Sequence, residues 1–245
     1  MLINISYIVS IIIEIGIPVV LAFYMWKKYK ISWAIFFLGM LLFLVSLSRI
    51  PLNSAFSSYI TLKFSGDMAL ILAGLFVSLT AGIFEEGVRV LAFGLFIKSR
   101  SYEKAVMYGI GHGGGGESMV FVGISVLVSF IIYRFFPGSI PADILPQIAG
   151  VEWYLPLVGA LERIFAIAIQ ISLSVLVMHA FLKRKYYFIL IAILYHMTVD
   201  FISVYINYKS GIFLTEIMAF IFAGISIALI YILRPRKKEF EKKEA

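Results

Sequence analysis

Long apolar runs dominate the chain, and charged positions interrupt them mainly at their ends. A helix needs about 20 predominantly apolar residues to cross a bilayer. The runs of this kind predict seven membrane-spanning helices, at residues 5–26, 31–48, 68–97, 117–136, 156–182, 187–207 and 212–233. A closed β-barrel would require short segments of alternating polarity, and long unbroken apolar runs argue against it.

One stretch, residues 102–116, fits this pattern poorly because it ends in four successive glycines, Gly113 to Gly116. Each glycine costs about 1 kcal/mol relative to alanine inside a helix. We therefore predict a short helix followed by a glycine break, of the kind that lines a buried cavity at membrane depth. A flexible hinge at the membrane interface is the alternative, and an independent crossing would raise the number of helices to eight.

The composition narrows the class of protein further. Of 245 residues, 62% are hydrophobic and 14% are charged, whereas soluble globular domains have about 45–50% apolar and about 25% charged residues. The aromatic content of 16% excludes a disordered chain. The chain has no cysteine, which excludes disulfides, thiolate metal ligands and a cysteine nucleophile. The prediction is an all-α polytopic transmembrane bundle, with residues 1–233 as a single integral-membrane domain.

The net charge of +7 comes from 21 Lys and Arg against 14 Asp and Glu. Most of the basic residues cluster at the ends of apolar runs, near residues 27–30, 98–104 and 183–185 and in a basic tail at 234–245. With the N-terminus outside, these clusters all fall on one side, which the positive-inside rule makes cytoplasmic. This distribution indicates topology and membrane lipids as partners, and we expect no nucleic-acid partner.

The strongest candidate for chemistry is the pair Glu85 and Glu86, followed by Arg89, well inside the third run. Ionisable residues are costly at this depth and usually face a bundle interior or a wet cavity. At helical spacing Arg89 lies one turn from both acids and can pair with one of them. The other carboxylate is then left for general acid–base chemistry. The alternative is a buried charge cluster that only locks helix packing.

Two histidine elements follow along the chain. His112 and Glu117 flank the glycine run, while His196 and Asp200 are one turn apart on one face of the sixth run. A carboxylate one turn from an imidazole can fix its tautomer and orientation. A lone histidine on an apolar face is more often a packed core residue, but the neighbouring Asp200 favours a functional His196.

The fifth run carries a weaker polar signal. Glu162 and Arg163 are followed by Gln170, which shares a helix face with Arg163. These side chains either line the same cavity or simply bond helices to one another, as polar residues in membranes often do. The spacing does not decide between the two.

Together these elements resemble a known pattern of membrane proteases. Paired glutamates with a following basic residue, an aromatic residue four positions before a histidine, and a late His-xxx-Asp helix are typical of CAAX-processing, bacteriocin-processing and PrsW proteases. The Gly-His-Gly-Gly sequence at 111–114 and the Glu-Arg pair at 162–163 are most similar to the YhfC family of intramembrane metalloproteases. The resemblance covers about residues 84–200.

The resemblance implies hydrolysis of a peptide bond in or next to a prokaryotic cell membrane, with a membrane-associated peptide or protein as the substrate. Carried over to this chain, Glu85 or Glu86 is the general base and Arg89 orients the other acid. We expect the polar chamber to lie in the cytoplasmic half of the bundle, with substrate entering laterally or from the cytoplasmic face.

The resemblance also implies roles for the histidines. His112 and His196 hold either a metal or the tetrahedral intermediate, and Asp200 orients His196. Zn²⁺ is the metal that this composition permits, with His112, His196 and Glu86 as ligands. A glutamate–histidine mechanism without metal uses the same residues.

The chain departs from the family pattern at two positions. Gln170 stands where the pattern has a histidine, and Glu117 follows His112 by five residues instead of four. Because glutamine is a poor metal ligand, an inactive membrane scaffold or binding protein is one alternative function. A transporter using the same acids is another, although a single glycine-rich break favours the enzyme.

Overall fold

The computed structural model describes residues 2–141 and 150–235, and the regular structure in these ranges is helical. The α-helices are α1 Leu2–Tyr29, α2 Trp33–Ser46, α3 Ile50–Lys63, α4 Gly66–Leu91, α5 Tyr102–Gly109, α6 Ile124–Phe135, α7 Leu155–Lys183, α8 Tyr187–Ser210 and α9 Ile212–Ile232. Short 3₁₀ turns occupy Leu47–Arg49 and Pro137–Ser139, and π-helical turns occupy Ala92–Phe96 and Ile110–Gly123.

These elements join into seven long helices. The 3₁₀ turn links α2 to α3, the first π-helical turn extends α4, and the second π-helical segment, Ile110–Gly123, links α5 to α6. Within the described residues, seven of the resulting helices are long and apolar enough to cross a membrane. The predicted all-α bundle is confirmed, and its number of candidate spans is seven.

Two local predictions are wrong. Residues 49–67, which separate the second and third predicted spans and were expected to form a loop, are helical over Ile50–Lys63, where α3 continues from α2. The glycine run does not interrupt the helix either. The backbone stays helical from Tyr102 to Phe135 and only widens to π-helical geometry at Ile110–Gly123. Most of the predicted tail at 234–245 lies outside the described residues.

Close helix packing explains the glycines of the run and the nearby Gly111. A Cβ on Gly111 would collide with the backbone carbonyl of Phe36 in α2, and a Cβ on Gly116 would come within 2.6 Å of the Phe43 Cβ. A Cβ on Gly113 would likewise come within 2.4 Å of Gln170 in α7, and a Cβ on Gly114 within 2.9 Å of Pro18 in α1. Small residues allow helices in a membrane to approach this closely. The glycines therefore bring three helices together around the π-helical segment.

Helix α7 is the centre of the bundle. About 61% of its most apolar stretch is buried, against 33% or less for each of the other candidate spans. It packs against α9, α5, α1 and α8 and against the π-helical segment. The outer helices expose many large apolar side chains, including Val20, Phe96 and Phe220, as expected for surfaces that face lipid.

Candidate active site

The predicted polar residues converge at about half the depth of the bundle. We call the end that carries residues 30–32, 97–101 and 184–186 the basic end. At 1.5 Å per residue, Glu85, His112 and His196 lie about 15 to 18 Å from this end along their helices. The hydrocarbon core of a bilayer is about 30 Å thick. The cluster therefore lies near the membrane midplane.

Glu85 is the centre of the cluster and is 3% exposed. Its Oε2 lies 3.1 Å from Nε2 of His112 and accepts a hydrogen bond of 3.2 Å from the Gln170 amide. Its Oε1 accepts a hydrogen bond of 2.8 Å from the Arg49 guanidinium. The Nε2 atom of His196 is 3.9 Å from Glu85 Oε2. One carboxylate thus faces both imidazoles.

Glu86 has a different role in the geometry. Its Oε1 accepts a hydrogen bond from the fully buried Arg89 guanidinium and lies 2.8 Å from Nδ1 of His196. Two other nitrogens of Arg89 donate to the side-chain Oε1 of Gln170 and to the Ser174 hydroxyl. Arg89 therefore holds Glu86 as the fixed anion, and it lies 4.0 Å from Glu85.

Gln170 connects the two carboxylates to a second group of charges. Its amide nitrogen donates to Glu85 and, at 2.9 Å, to Glu117. Glu117 accepts a hydrogen bond of 2.8 Å from Arg163, which also binds Glu162. The residues of the fifth run that the sequence left undecided therefore belong to the same network as the paired glutamates.

The histidines are held by different partners. His112 is fully buried between the rings of Tyr108 and Phe43, with ring centroids at 5.8 and 5.3 Å. The Nδ1 atom of His196 is at hydrogen-bond distance, 2.8 Å, from the accepting Glu86 Oε1, while Asp200 lies 3.6 Å from its Nε2 atom. Glu86, and not Asp200, is therefore at hydrogen-bond distance from this imidazole.

Arg49 is the contact that the sequence did not predict. It directly follows an apolar run whose far end is expected at the non-cytoplasmic surface, yet its side chain is only 14% exposed. The 3₁₀ turn at Leu47–Arg49 carries the side chain into the bundle, where it also donates to the carbonyl and hydroxyl of Ser46. The only sequence signal for this contact was that Arg49 ends an apolar run and is followed directly by residues that continue the helix.

A cavity of about 230 Å³ adjoins the cluster. His196, Gln170 and Asp200 form its inner wall, and it extends past Glu117 and Glu162. Along α7, Glu162 lies about 12 Å farther from the basic end than Gln170. This cavity therefore lies in the half of the bundle opposite to the basic end, and not in the basic half, where we expected the polar chamber.

The fold and the site define a class: a polytopic helical membrane protein with an ionisable cluster buried at mid-depth. The chain belongs to the YhfC family, since the family described as YhfC intramembrane metalloprotease matches residues 11–222. The "Uncharacterized membrane protein YhfC" of Bacillus subtilis (strain 168) is 30% identical over 234 residues, which cover 86% of this chain and 88% of that protein. No solved structure matches the chain.

The family description implies a metal ion. The distances between the candidate ligand atoms show whether these residues fit one. In a tetrahedral zinc site the bond lengths of about 2.0–2.2 Å place ligand atoms about 3.3 Å apart. The Nε2 atoms of His112 and His196 lie 3.1 and 3.9 Å from Glu85 Oε2, which spans this value.

The other contacts of Glu85 oppose a metal in this arrangement. Arg49 and Gln170 both donate hydrogen bonds to the carboxylate that a cation would need. Among the residues that the structure describes, no three His, Asp or Glu side chains are arranged to hold a metal ion. As arranged, the donor set does not fit zinc, and Glu85 is held as a hydrogen-bonded carboxylate.

Proposed function

We propose that this protein is an intramembrane peptidase that hydrolyses a peptide bond with a water molecule activated by Glu85. The observation that carries the proposal is the buried Glu85 carboxylate at mid-depth, with two imidazole Nε2 atoms within 3.9 Å and a polar cavity beside it. Membership of a family described as intramembrane metalloprotease supports the same reaction class.

Glu85 is the general base in this proposal because, of the two paired glutamates, it is the one whose Oε2 atom faces the Nε2 atom of His196. Gln170 and His196 both line the cavity and lie next to Glu85 Oε2. As water attacks the carbonyl carbon of the scissile bond, Glu85 takes its proton. The carboxyl group then returns that proton to the leaving amine when the carbon–nitrogen bond breaks.

His196 stabilises the charge that develops on the carbonyl oxygen. Its Nδ1 is held by Glu86, and Arg89 keeps Glu86 in place. The Nε2–H of the imidazolium form therefore points to the cavity, where it donates to the oxyanion, while the Glu86 carboxylate balances the imidazolium. His112 is a positioning residue that orients Glu85 through its Nε2 atom.

The direct test is cleavage of membrane-spanning peptides by the purified protein in liposomes. Glu85→Gln should lower kcat by about 100-fold or more, because it removes the general base. Glu103→Gln is the matched control, since Glu103 lies in the first turn of α5 and outside the cluster. Undiminished cleavage by Glu85→Gln would contradict the proposal, and so would a wild-type protein that cleaves no peptide of a membrane-peptide library.

Metal analysis of the purified protein tests the disagreement between the family description and the observed contacts of Glu85. The arrangement predicts that active protein contains less than stoichiometric zinc and keeps its activity after chelation. Stoichiometric zinc that is lost in both His112→Ala and His196→Ala would show that these side chains rearrange around a metal.

A further inference from the structure

The cavity beside the cluster has a negative lining. Three carboxylates line it, Glu117, Glu162 and Asp200, against the single guanidinium of Arg163. Arg163 is already paired with Glu117 and Glu162. With ionised carboxylates and His196 as an imidazolium, the charged residues of this cavity therefore carry a net charge of −1.

Asp200 is the acid that remains for a ligand. Its side chain is 38% exposed, and among the described residues its ion-pair contact is His196 Nε2 at 3.6 Å, which is longer than a hydrogen bond. Asp200 lies one helical turn, about 6 Å, from His196 along α8. A cation bound to Asp200 would thus sit one turn away from the reacting atoms.

Ser78 gives an independent indication of a missing ligand. This residue of α4 lines the cavity and is 1% exposed, yet its hydroxyl has no hydrogen-bond partner among the described residues. A buried hydroxyl without a partner costs about 1–3 kcal/mol. A ligand with a hydrogen-bond donor in the cavity would satisfy it.

The remaining walls are apolar and suit an aliphatic stem. Val77, Ile169, Val199 and Val204 line the cavity between the polar groups. A long aliphatic stem with a terminal ammonium or guanidinium group matches this distribution of apolar walls and acids. Inside a membrane such a cation needs a paired acid, because its burial is otherwise costly.

We propose that this cavity is a specificity pocket for a lysine or arginine side chain next to the scissile bond of the substrate. The proposal rests on the proposed peptidase function. The cationic head binds Asp200 and the Ser78 hydroxyl, while its stem lies against the valine and isoleucine walls. The substrate backbone is thereby held beside His196 and Glu85.

The test uses two membrane-spanning peptides that differ at one position, lysine or norleucine, next to the cleaved bond. Norleucine keeps a four-carbon chain and lacks the charge. The wild-type protein should show a kcat/KM about tenfold or more higher for the lysine peptide. Asp200→Asn should remove most of this ratio, and Ser78→Ala should reduce it severalfold. Asp67→Asn is the control, because Asp67 pairs with Lys209 far from the cavity.

A binding measurement separates this proposal from the peptidase proposal. Glu85→Gln keeps the cavity lining and blocks hydrolysis, so it should still bind the lysine peptide about tenfold more tightly than the norleucine peptide. If Glu85→Gln binds the lysine peptide more tightly and the wild type cleaves neither peptide, the pocket would be supported and the peptidase proposal overturned.

Equal kcat/KM values for the two peptides would overturn the pocket and leave the peptidase standing. A small free amine carries the same cationic group as a lysine side chain and is the alternative ligand for this cavity. Uptake of n-butylammonium into proteoliposomes that Asp200→Asn abolishes would identify a transported amine and overturn the assignment to a peptide side chain.

Discussion

At the scale of the residue, guanidinium groups hold the buried carboxylates in place. Arg89 uses its fork to bind Glu86, Gln170 and Ser174 at once, and it is completely buried. Arg49 performs the corresponding task for Glu85 from a different helix. A planar, permanently charged fork suits this role better than a lysine ammonium.

Removal of Arg49 should destabilise the protein. In Arg49→Gln the Glu85 carboxylate stays buried but loses the opposite charge that is hydrogen-bonded to it, and removal of one partner of a buried ion pair costs about 3 kcal/mol. The free energy of unfolding in detergent micelles measures this loss. Arg134→Gln is the matched control, because Arg134 is exposed on α6 and should change stability little. Equal stability of the two variants would refute the ion pair.

The sequence predicted the acids and histidines of this cluster but not all of their partners. Depth within an apolar run identified Glu85, Glu86 and His196, since a charge there must avoid lipid. Helix spacing then indicated that Arg89 pairs with one of the two glutamates, because all three lie on one helix, and the structure shows that this partner is Glu86. Arg49 and Gln170 reach Glu85 from other helices, and such contacts depend on how helices pack.

At the scale of the element, the π-helical segment Ile110–Gly123 determines how closely the helices approach one another. Helices α2, α1 and α7 all pack against it. The glycine run suggested a break because glycine weakens an isolated helix. In the bundle the absent side chains instead make room for neighbouring backbone, and that contact offsets the low helix propensity.

Two alanine substitutions distinguish packing from propensity. Gly111→Ala should destabilise the protein by about 1–3 kcal/mol, because its Cβ would collide with the α2 backbone at Phe36. Gly159→Ala in α7 has no atom within 4 Å of its Cβ and should be neutral or stabilising by up to about 1 kcal/mol. Unfolding titrations of both variants give the comparison. If Gly111→Ala stabilised the protein, the close packing of this glycine against α2 would be contradicted.

At the scale of the whole molecule, the basic clusters predict the direction in which the bundle crosses the membrane. Lys183, Arg184 and Lys185 lie at the basic end, while Ser139 lies beyond α6 at the opposite end. The positive-inside rule makes the basic end cytoplasmic. The cavity then lies in the non-cytoplasmic half, which favours substrate entry from that half of the membrane.

Cysteine labelling in intact cells checks this orientation, and the native chain is a clean background because it has no cysteine. Ser139→Cys should react with a membrane-impermeant maleimide in intact cells. Lys185→Cys should react only after the cells are opened. The reverse pattern would invert the topology and place the cavity in the cytoplasmic half.

The sequence by itself determined the membrane environment, the helical class and the depth of the paired glutamates. Each follows from local rules, because run length, polarity and helix periodicity act along one segment at a time. Only the tertiary structure decided that Arg49 and Gln170 bind Glu85, that the glycine run packs without breaking, and on which side of the cluster the cavity lies. These features depend on how distant segments pack against one another, and no single segment contains that information.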